Sequence, residues 1–488
     1  MTSETLDLVI AGRAHTPGPP VAIRNPYSGD EVGRTYAAGA VELDAAAAAS
    51  VRGFEAWRRE PSHRRAAVLA AVAQGLREGR EAFARSITSE AGKPIRDARV
   101  EAERAAHVFT LASEEAKRVT GEFLPLDLFP GSEGRTALVR RVPAGPVLGI
   151  TPFNFPLNLV AHKAAPALAL GCSIVVKPAP QTPLTALRLA ALARAAGLPG
   201  DVFQVVPTTN ELAGSLVEDE RFRVLSFTGS PGVGWALKAR AGRKRVLLEL
   251  GGNAAVIVHR DADLEAAVRR ATVGGMSYSG QVCISVQRVY AQREIFDGFL
   301  ASLVEAVAGL VVGDPFEEAT QISALIRPGE AERVATWVSE AQAGGARVVT
   351  GGRVLPTPGG RAYAPTIVTG TRPGMRVVDE EVFGPLIVVE PYDDVEGAFD
   401  AVNAGRFGLQ AGLYTNDLGI VQRAFERLEV GAVLVNEVPT YRADHMPYGG
   451  VKESGLGREG VRYAMEEMSE RRVLVLPAPP AREPEGVP

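Results

Sequence analysis

Hydrophobic and polar positions change rhythm several times along the chain, and each change marks a different kind of element. From about Val41 to Val119 the sequence is rich in alanine and charge, with Gly and Pro mostly kept out. That spacing predicts a succession of helices and makes the first hundred residues look helical. Between Phe123 and Gly149, Pro and Gly interrupt short apolar runs, and Arg135 to Val142 alternates like hairpin strands in an excursion from the main body.

A strand-then-helix rhythm follows. Pro146 to Thr151, Ser173 to Lys177, Phe203 to Val206, Val224 to Thr228 and Val246 to Leu250 are short apolar, β-branched runs, with helical segments such as Thr185 to Ala196 between them. Continuous apolar strands alternating with helices predict an α/β fold built on a parallel sheet. Ligands in such folds bind at the carboxyl ends of the strands, so the residues just after each run carry the interest. A second α/β region begins after Gly252. There Phe296, Phe299, Leu300, Leu303, Val304 and Val307 have helical spacing, and Leu386 to Glu390 and Ala432 to Asn436 read as strands. Two α/β domains with a cleft between them are expected, followed by a Pro- and Glu-rich tail from Pro477 to Pro488.

Composition narrows the functional classes. The 488 residues exceed what one hydrophobic core usually organises. A formal charge of -4, from 53 basic and 57 acidic residues, gives no footprint for nucleic acid or anionic lipid, and the cluster Arg243-Lys244-Arg245 reads as a solvated loop. Met1 to Pro20 lacks the pattern of a secretory signal, and the longest apolar stretch, Ala164 to Val176, is too short to span a bilayer. A cytoplasmic protein without membrane or nucleic-acid partners is expected. With only Cys172 and Cys283, and neither Cys-x-x-Cys nor His-Glu-x-x-His, the chain has no disulfide framework and no expected metal site.

Several residues after the strands could carry chemistry. Asn154, in Thr151-Pro-Phe-Asn-Phe-Pro156, is placed to aim an amide into a ligand crevice, although a turn asparagine bonding its own backbone is the plainer local reading. Lys177 sits at a strand end before Pro178 and Pro180, as a cofactor contact or a solvated lysine. Thr228-Gly-Ser-Pro-Gly-Val-Gly234 joins a strand to a helix and suits a pyrophosphate, though its spacing departs from Gly-x-Gly-x-x-Gly. Glu249 is an acidic residue in an apolar strand, where burial would raise its pKa toward that of a general base. Cys283, in Gly280-Gln-Val-Cys283, is a candidate nucleophile, whereas Cys172 reads as a small buried hydrophobe.

Taken in order, these motifs resemble the NAD(P)-dependent aldehyde dehydrogenase superfamily: Pro152-Phe-Asn-Phe-Pro156, Val176-Lys-Pro178, Phe227-Thr-Gly-Ser230, Glu249-Leu-Gly-Gly-Asn253, Gly280-Gln-Val-Cys283, Glu381-Val-Phe-Gly-Pro385 and Pro447-Tyr-Gly-Gly-Val-Lys-Glu-Ser-Gly455. Their order and spacing cover nearly the whole chain. The resemblance implies oxidation of an aldehyde to an acid with NAD or NADP, Cys283 being the nucleophile, Glu249 the base and Asn154 an oxyanion donor together with the Cys283 amide. It implies cofactor contacts from Thr151, Pro152, Phe153, Lys177, Gly229, Ser230, Gly234, Glu381 and Phe383. Thiolate attack would give a tetrahedral alkoxide, then a thioester that water activated by Glu249 hydrolyses.

The same resemblance implies the aldehyde dehydrogenase fold: a Rossmann-like cofactor domain over 1–121 and 144–249, an α/β catalytic domain over 250–465, and a small β oligomerisation element with the tail over 122–143 and 466–488. A homodimer or homotetramer is then expected. Two departures matter. Pro180 stands where NAD-preferring members often carry an acidic residue, which would admit a 2'-phosphate and hence NADP. Phe153 stands where tryptophan is common. His162, Tyr441, Arg442 and His445 are the candidate substrate pocket, suited to a short hydroxylated or anionic aldehyde with Arg442 pairing the anion. A CoA-acylating enzyme is the alternative within the superfamily, which Glu249 disfavours. A catalytically silent binding protein is the alternative outside it, which the intact Cys283, Glu249 and Asn154 disfavour.

Overall fold

Short β-branched runs alternate with Ala- and Leu-rich runs from residue 146 onward, and they assemble as a parallel sheet. In this computed structural model, which describes residues 4–477, the strands Val147–Ile150, Ile174–Lys177, Phe203–Val205, Val224–Thr228 and Arg245–Glu249 pair in parallel. Their spatial order runs from Phe203–Val205 through Ile174–Lys177, Val147–Ile150 and Val224–Thr228 to Arg245–Glu249. Chain order therefore reverses between Val147–Ile150 and Val224–Thr228, the switch point at which loops diverge and open a crevice. Gly455–Leu456, from far along the chain, pairs antiparallel with Arg245–Glu249 and closes that edge.

The helix Asn158–Leu170 is buried at every position, which matches its largely apolar composition, and it ends at Gly171 with a left-handed φ of +107°. Each Leu or Val it buries contributes on the order of 2 kcal/mol by removal from water. Against it pack Ile95–Glu115 and Ser62–Glu78, whose alanines allow close approach and form one layer of the first core.

The second sheet places Arg347–Thr350, Thr366–Thr369, Leu386–Tyr392, Val286–Gln292, Ala254–Val258, Gln410–Tyr414 and Ala432–Val435 side by side, parallel except for the first pair. Helix Arg293–Ala308 covers it through Phe299, Leu300, Leu303 and Val307, on the expected face. Glu122–Pro125, Thr136–Pro143 and Ser469–Leu476 form a separate three-stranded antiparallel sheet.

Helix begins only at Ala40, and the expectation of a helical first hundred residues is corrected before that point: Thr5–Leu6, Leu8–Ile10, Arg13–His15, Val21–Arg24 and Glu31–Thr35 are strands. These runs are short, with Pro and Gly turns between them, so helix nucleation has no room. Arg245 opens a strand instead of belonging to a solvated loop, though its side chain stays exposed. The tail expected from 477 to 488 lies, Pro477 apart, outside the described residues. Among the described residues no helix is long and apolar enough to cross a membrane.

Candidate active site

The strand ends at the switch point set the first side of the crevice. Asn154 follows Val147–Ile150 and is buried; its Nδ2 donates to the Gln281 carbonyl at 3.0 Å, and its Oδ1 has no partner among the described residues. The side chain thus reaches across to the loop of Cys283 instead of bonding its own turn, which corrects the plainer local reading. Cys172 is fully buried and its thiol is pushed up to about 12 by burial, the behaviour of a packing residue.

Cys283 follows the tight turn Ser277–Gly280, in which Tyr278 and Ser279 adopt left-handed φ values of 48° and 55°. Such conformations cost on the order of 1–3 kcal/mol each and persist where the surroundings enforce them. Here the Tyr278 hydroxyl donates to the Ala91 carbonyl at 2.7 Å, and Ser279 Oγ donates to the Ser323 carbonyl while accepting from the Ser323 amide, both at 3.0 Å. Gly280, at φ +72°, lies so close to Gly384 that a Cβ there would stand 2.1 Å from its carbonyl oxygen. The sulfur of Cys283 is 3.2 Å from the Tyr448 hydroxyl, and burial first, then the charge of Glu249, pushes its thiol pKa well above the ordinary value.

Glu249 ends its strand with the side chain buried, accepting from the Tyr448 hydroxyl at 3.2 Å through Oε1 while Oε2 has no partner among the described residues. Burial, reinforced by the nearby Glu459 charge, pushes its pKa up to about 7. Glu459 itself accepts from Lys163 at 3.3 Å and Arg442 at 3.1 Å; burial opposes its ionisation, yet these two cations hold its carboxyl well below the ordinary range.

The crevice contains a cavity of about 240 Å³ that reaches from Asn154, Glu249 and Cys283 past Gly229 and Ser230 to Glu381 and Phe383. Helix Pro231–Arg240 starts there with no side-chain cap on its first turn, leaving amide donors of the kind that hold a pyrophosphate. Thr151 and Thr228 each bury a hydroxyl with no partner among the described residues. Glu381 accepts from the Gly252 amide at 3.1 Å and lies against Gly251, where a Cβ would stand 2.2 Å from its Oε2 and push the carboxylate aside. Phe383, at φ +49°, meets Phe153 edge-to-face at 5.9 Å. Lys177 is buried and donates to Asn210 Oδ1 at 2.7 Å, so it is no solvated strand end. Unsatisfied hydroxyls, free helix amides and a glycine cradle fit a dinucleotide.

Behind Tyr448 lies a charged cluster. Arg442 stacks over the Tyr448 ring at 3.7 Å, with its Nε lacking a partner among the described residues. His162 is buried, and burial holds its pKa down to about 4, so it is neutral. Its Nε2 then donates to Asp444 at 2.9 Å and its Nδ1 accepts from Arg442 at 3.2 Å, a tautomer assigned from these partners. Arg104 binds the same Asp444 at 2.6 Å. Tyr441 and His445 are exposed, and none of His162, Tyr441, Arg442 and His445 lines the cavity, the first and third being packed behind Tyr448.

Tyr448, Lys163, Glu459 and Asp444 join the site without having been singled out. A lysine inside the largely apolar run Asn158–Leu170 was a legible signal, as was a tyrosine in the Pro447 motif; Glu459 and Asp444 carried none, because only folding brings them to Arg442 and His162.

Comparison with known proteins agrees with this architecture. The family model described as "Aldehyde dehydrogenase family" matches residues 14–474. The 3-sulfolactaldehyde dehydrogenase of Priestia megaterium is 47% identical over 410 residues, 84% of this chain and 85% of that one. Aldehyde dehydrogenase 21 of Physcomitrella patens, solved with the reaction product succinate, superposes with a TM-score of 0.95 at 39% identity, covering 98% of this chain and 99% of that one. Glyceraldehyde-3-phosphate dehydrogenase of Methanocaldococcus jannaschii, solved with NADP, superposes with a TM-score of 0.90 at 36% identity, covering 94% and 100%. The chain belongs to the aldehyde dehydrogenase family and is an oxidoreductase that oxidises an aldehyde with NAD or NADP as acceptor.

Proposed function

We propose that the substrate is a small anionic aldehyde, oxidised at Cys283 and held at its anionic end by Arg442. The observation that carries this reading is the Arg442 guanidinium: it is buried, stacked on Tyr448, and keeps one N–H unpaired a single ring away from the Cys283 sulfur. In this cluster Arg104, Lys163 and Arg442 face Asp444, Glu459 and Glu249, so cations exceed anions whenever Glu249 is protonated. A bound carboxylate or sulfonate would balance that excess and take a charge-assisted hydrogen bond from Nε. The named substrate of the Priestia relative and the succinate of the Physcomitrella neighbour are small acids of this kind.

In this reading Cys283 passes its proton toward Glu249, directly or through Tyr448, and its thiolate attacks the aldehyde carbon. Asn154 and the Cys283 amide stabilise the resulting alkoxide. When bound, NAD or NADP accepts the hydride from that carbon, which leaves a thioester on Cys283. Glu249, once it has released the Cys283 proton to solvent, takes a proton from water as it attacks the thioester; the Cys283 thiolate leaves and regains a proton from Glu249 as the acid departs. Gly229, Ser230 and the free first-turn amides of the helix Pro231–Arg240 would hold the pyrophosphate, Lys177 and Glu381 the riboses, and Thr151, Pro152, Phe153, Gly234 and Phe383 would complete the cofactor contacts. Pro180 leaves NADP admissible.

The division at residues 249 and 250, a cytoplasmic location and assembly through the sheet Glu122–Pro125, Thr136–Pro143 and Ser469–Leu476 are parts of the same reading. That sheet exposes Phe123 on one edge strand and Val473, Leu474 and Val475 on the other, each more than half accessible, and the latter edge is suited to pairing with another copy.

The substrate test compares succinic semialdehyde with butanal in Arg442→Met. Loss of a charge-assisted contact should lower kcat/KM for the anionic aldehyde roughly 100-fold and leave the neutral one within about threefold. Equal losses for both would remove the anion-pairing role.

A further inference from the structure

Lys93 takes no part in the site as described so far, yet it is 1% exposed and lies between the two loops that carry the reacting groups. Its Nζ stands 3.7 Å over the Phe155 ring, next to Asn154, and 4.6 Å over the Tyr278 ring, in the turn that leads to Cys283. Its ammonium forms a short ion pair with Glu101, which is also buried. The other oxygen of Glu101 accepts from the backbone amides of Leu157 and Asn158 at 2.9 and 3.1 Å, at the start of the helix that follows the Asn154 loop. Asp97, one turn before Glu101, accepts from the Tyr278 amide at 3.3 Å.

We infer that Lys93 is a positioning residue: its buried cation clamps the Asn154 loop and the Cys283 loop at a fixed separation, with Glu101 as its anchor. This rests on the reading of Cys283 as nucleophile and Asn154 as oxyanion donor. Oxyanion stabilisation depends on donors standing where charge develops, and a displacement of about 1 Å costs on the order of 100-fold in rate. Asn154 ties the two loops directly through its hydrogen bond to Gln281, and helix Ile95–Glu115 ties them indirectly through Glu101 and Asp97. That bond fixes one side chain, whereas Lys93 contacts aromatic faces from both loops, which a desolvated cation attracts strongly. A structural ion pair would need only Glu101; two rings drawn onto one ammonium are what a clamp requires.

A purely structural role is separable by experiment. Lys93→Met alone would leave Glu101 as an unpaired buried carboxylate and compromise folding. Lys93→Met with Glu101→Gln removes both charges at nearly constant shape, and such neutral replacements of buried pairs are well tolerated. The full chain carrying both changes is compared with wild type for thermal melting, aldehyde KM, and kcat per Cys283 thiol counted by active-site titration. The expected result is a melting temperature within a few degrees of wild type, a KM within about threefold, and a kcat per titrated thiol lowered at least about tenfold, because the loops hold but lose their alignment. A wild-type kcat per thiol overturns the inference, and so does a double variant that fails to fold, since the pair then serves stability alone. Cys283→Ala is the control for the underlying reading: activity in that variant removes the nucleophile assignment itself, whatever the Lys93 result.

Discussion

The hydroxyl of Tyr448 lies 3.2 Å from the sulfur of Cys283, and the same hydroxyl donates to Glu249 at 3.2 Å, so one phenol links the proposed nucleophile and the proposed base. With the hydroxyl proton directed to Glu249, the thiol is left to donate to Tyr448. Tyr448→Phe keeps the ring under Arg442 and deletes the link. We expect kcat/KM to fall roughly 10-fold, the worth of a buried hydrogen bond to a charged group, and alkylation of Cys283 by iodoacetamide at neutral pH to slow in parallel. Unchanged alkylation would show that Glu249 reaches the thiol unaided.

Burial lifts Glu249 to about 7, and the sign of the pH dependence follows. Above that value the carboxylate is ionised and can take a proton from water; below it the group is protonated and cannot. Steady-state kcat with saturating aldehyde should therefore drop about tenfold for each unit below pH 7 while thioester hydrolysis limits the rate. Glu249→Gln should slow acid release to a small fraction of wild type and flatten that dependence between pH 6 and 8. A profile unaltered by the substitution would move the base elsewhere.

Much of this was legible in the sequence, and what escaped has physical reasons. The parallel strands were readable because burial on both faces makes runs such as Ile174–Lys177 continuously apolar, and the residues after them had to face the switch point. The five short strands before Ala40 were not, because runs of two to five residues hold too few positions to show a period. In the site, Cys283, Glu249 and Asn154 were marked by their motifs, whereas Asp444 looks like any loop aspartate until folding sets it between His162 and Arg104. Lys93 was invisible for the same reason: its meaning lies in two rings, Phe155 and Tyr278, that are distant in sequence.

The edge strand Ser469–Leu476 pairs with Thr136–Pro143 on one side, and Val473, Leu474 and Val475 are each more than half exposed. A long apolar edge left in water invites aggregation, so a second copy is expected to cover it. Val473→Lys with Val475→Lys should shift the particle seen by light scattering to a smaller assembly and leave the circular dichroism spectrum unchanged. A particle of unaltered size would place the interface elsewhere.

With Lys177 as the proposed ribose contact, cofactor choice is expected to turn on its neighbourhood. Burial lowers its pKa to about 8, against the opposing charge of Glu211, and its ammonium is held by the neutral amide of Asn210 at 2.7 Å. Three residues on, Pro180 is exposed and carries no charge that would repel a 2'-phosphate. A carboxylate at that position would repel the phosphate of NADP while accepting hydrogen bonds from the ribose hydroxyls of NAD. For charges several ångströms apart in a partly solvated crevice, repulsion amounts to about 1–2 kcal/mol, or roughly tenfold in affinity. Pro180→Glu should therefore raise the ratio of kcat/KM with NAD to that with NADP by about tenfold, mostly through a higher KM for NADP. An equal loss with both cofactors would mean that the substitution merely disturbs the turn, since a damaged loop does not distinguish the two riboses.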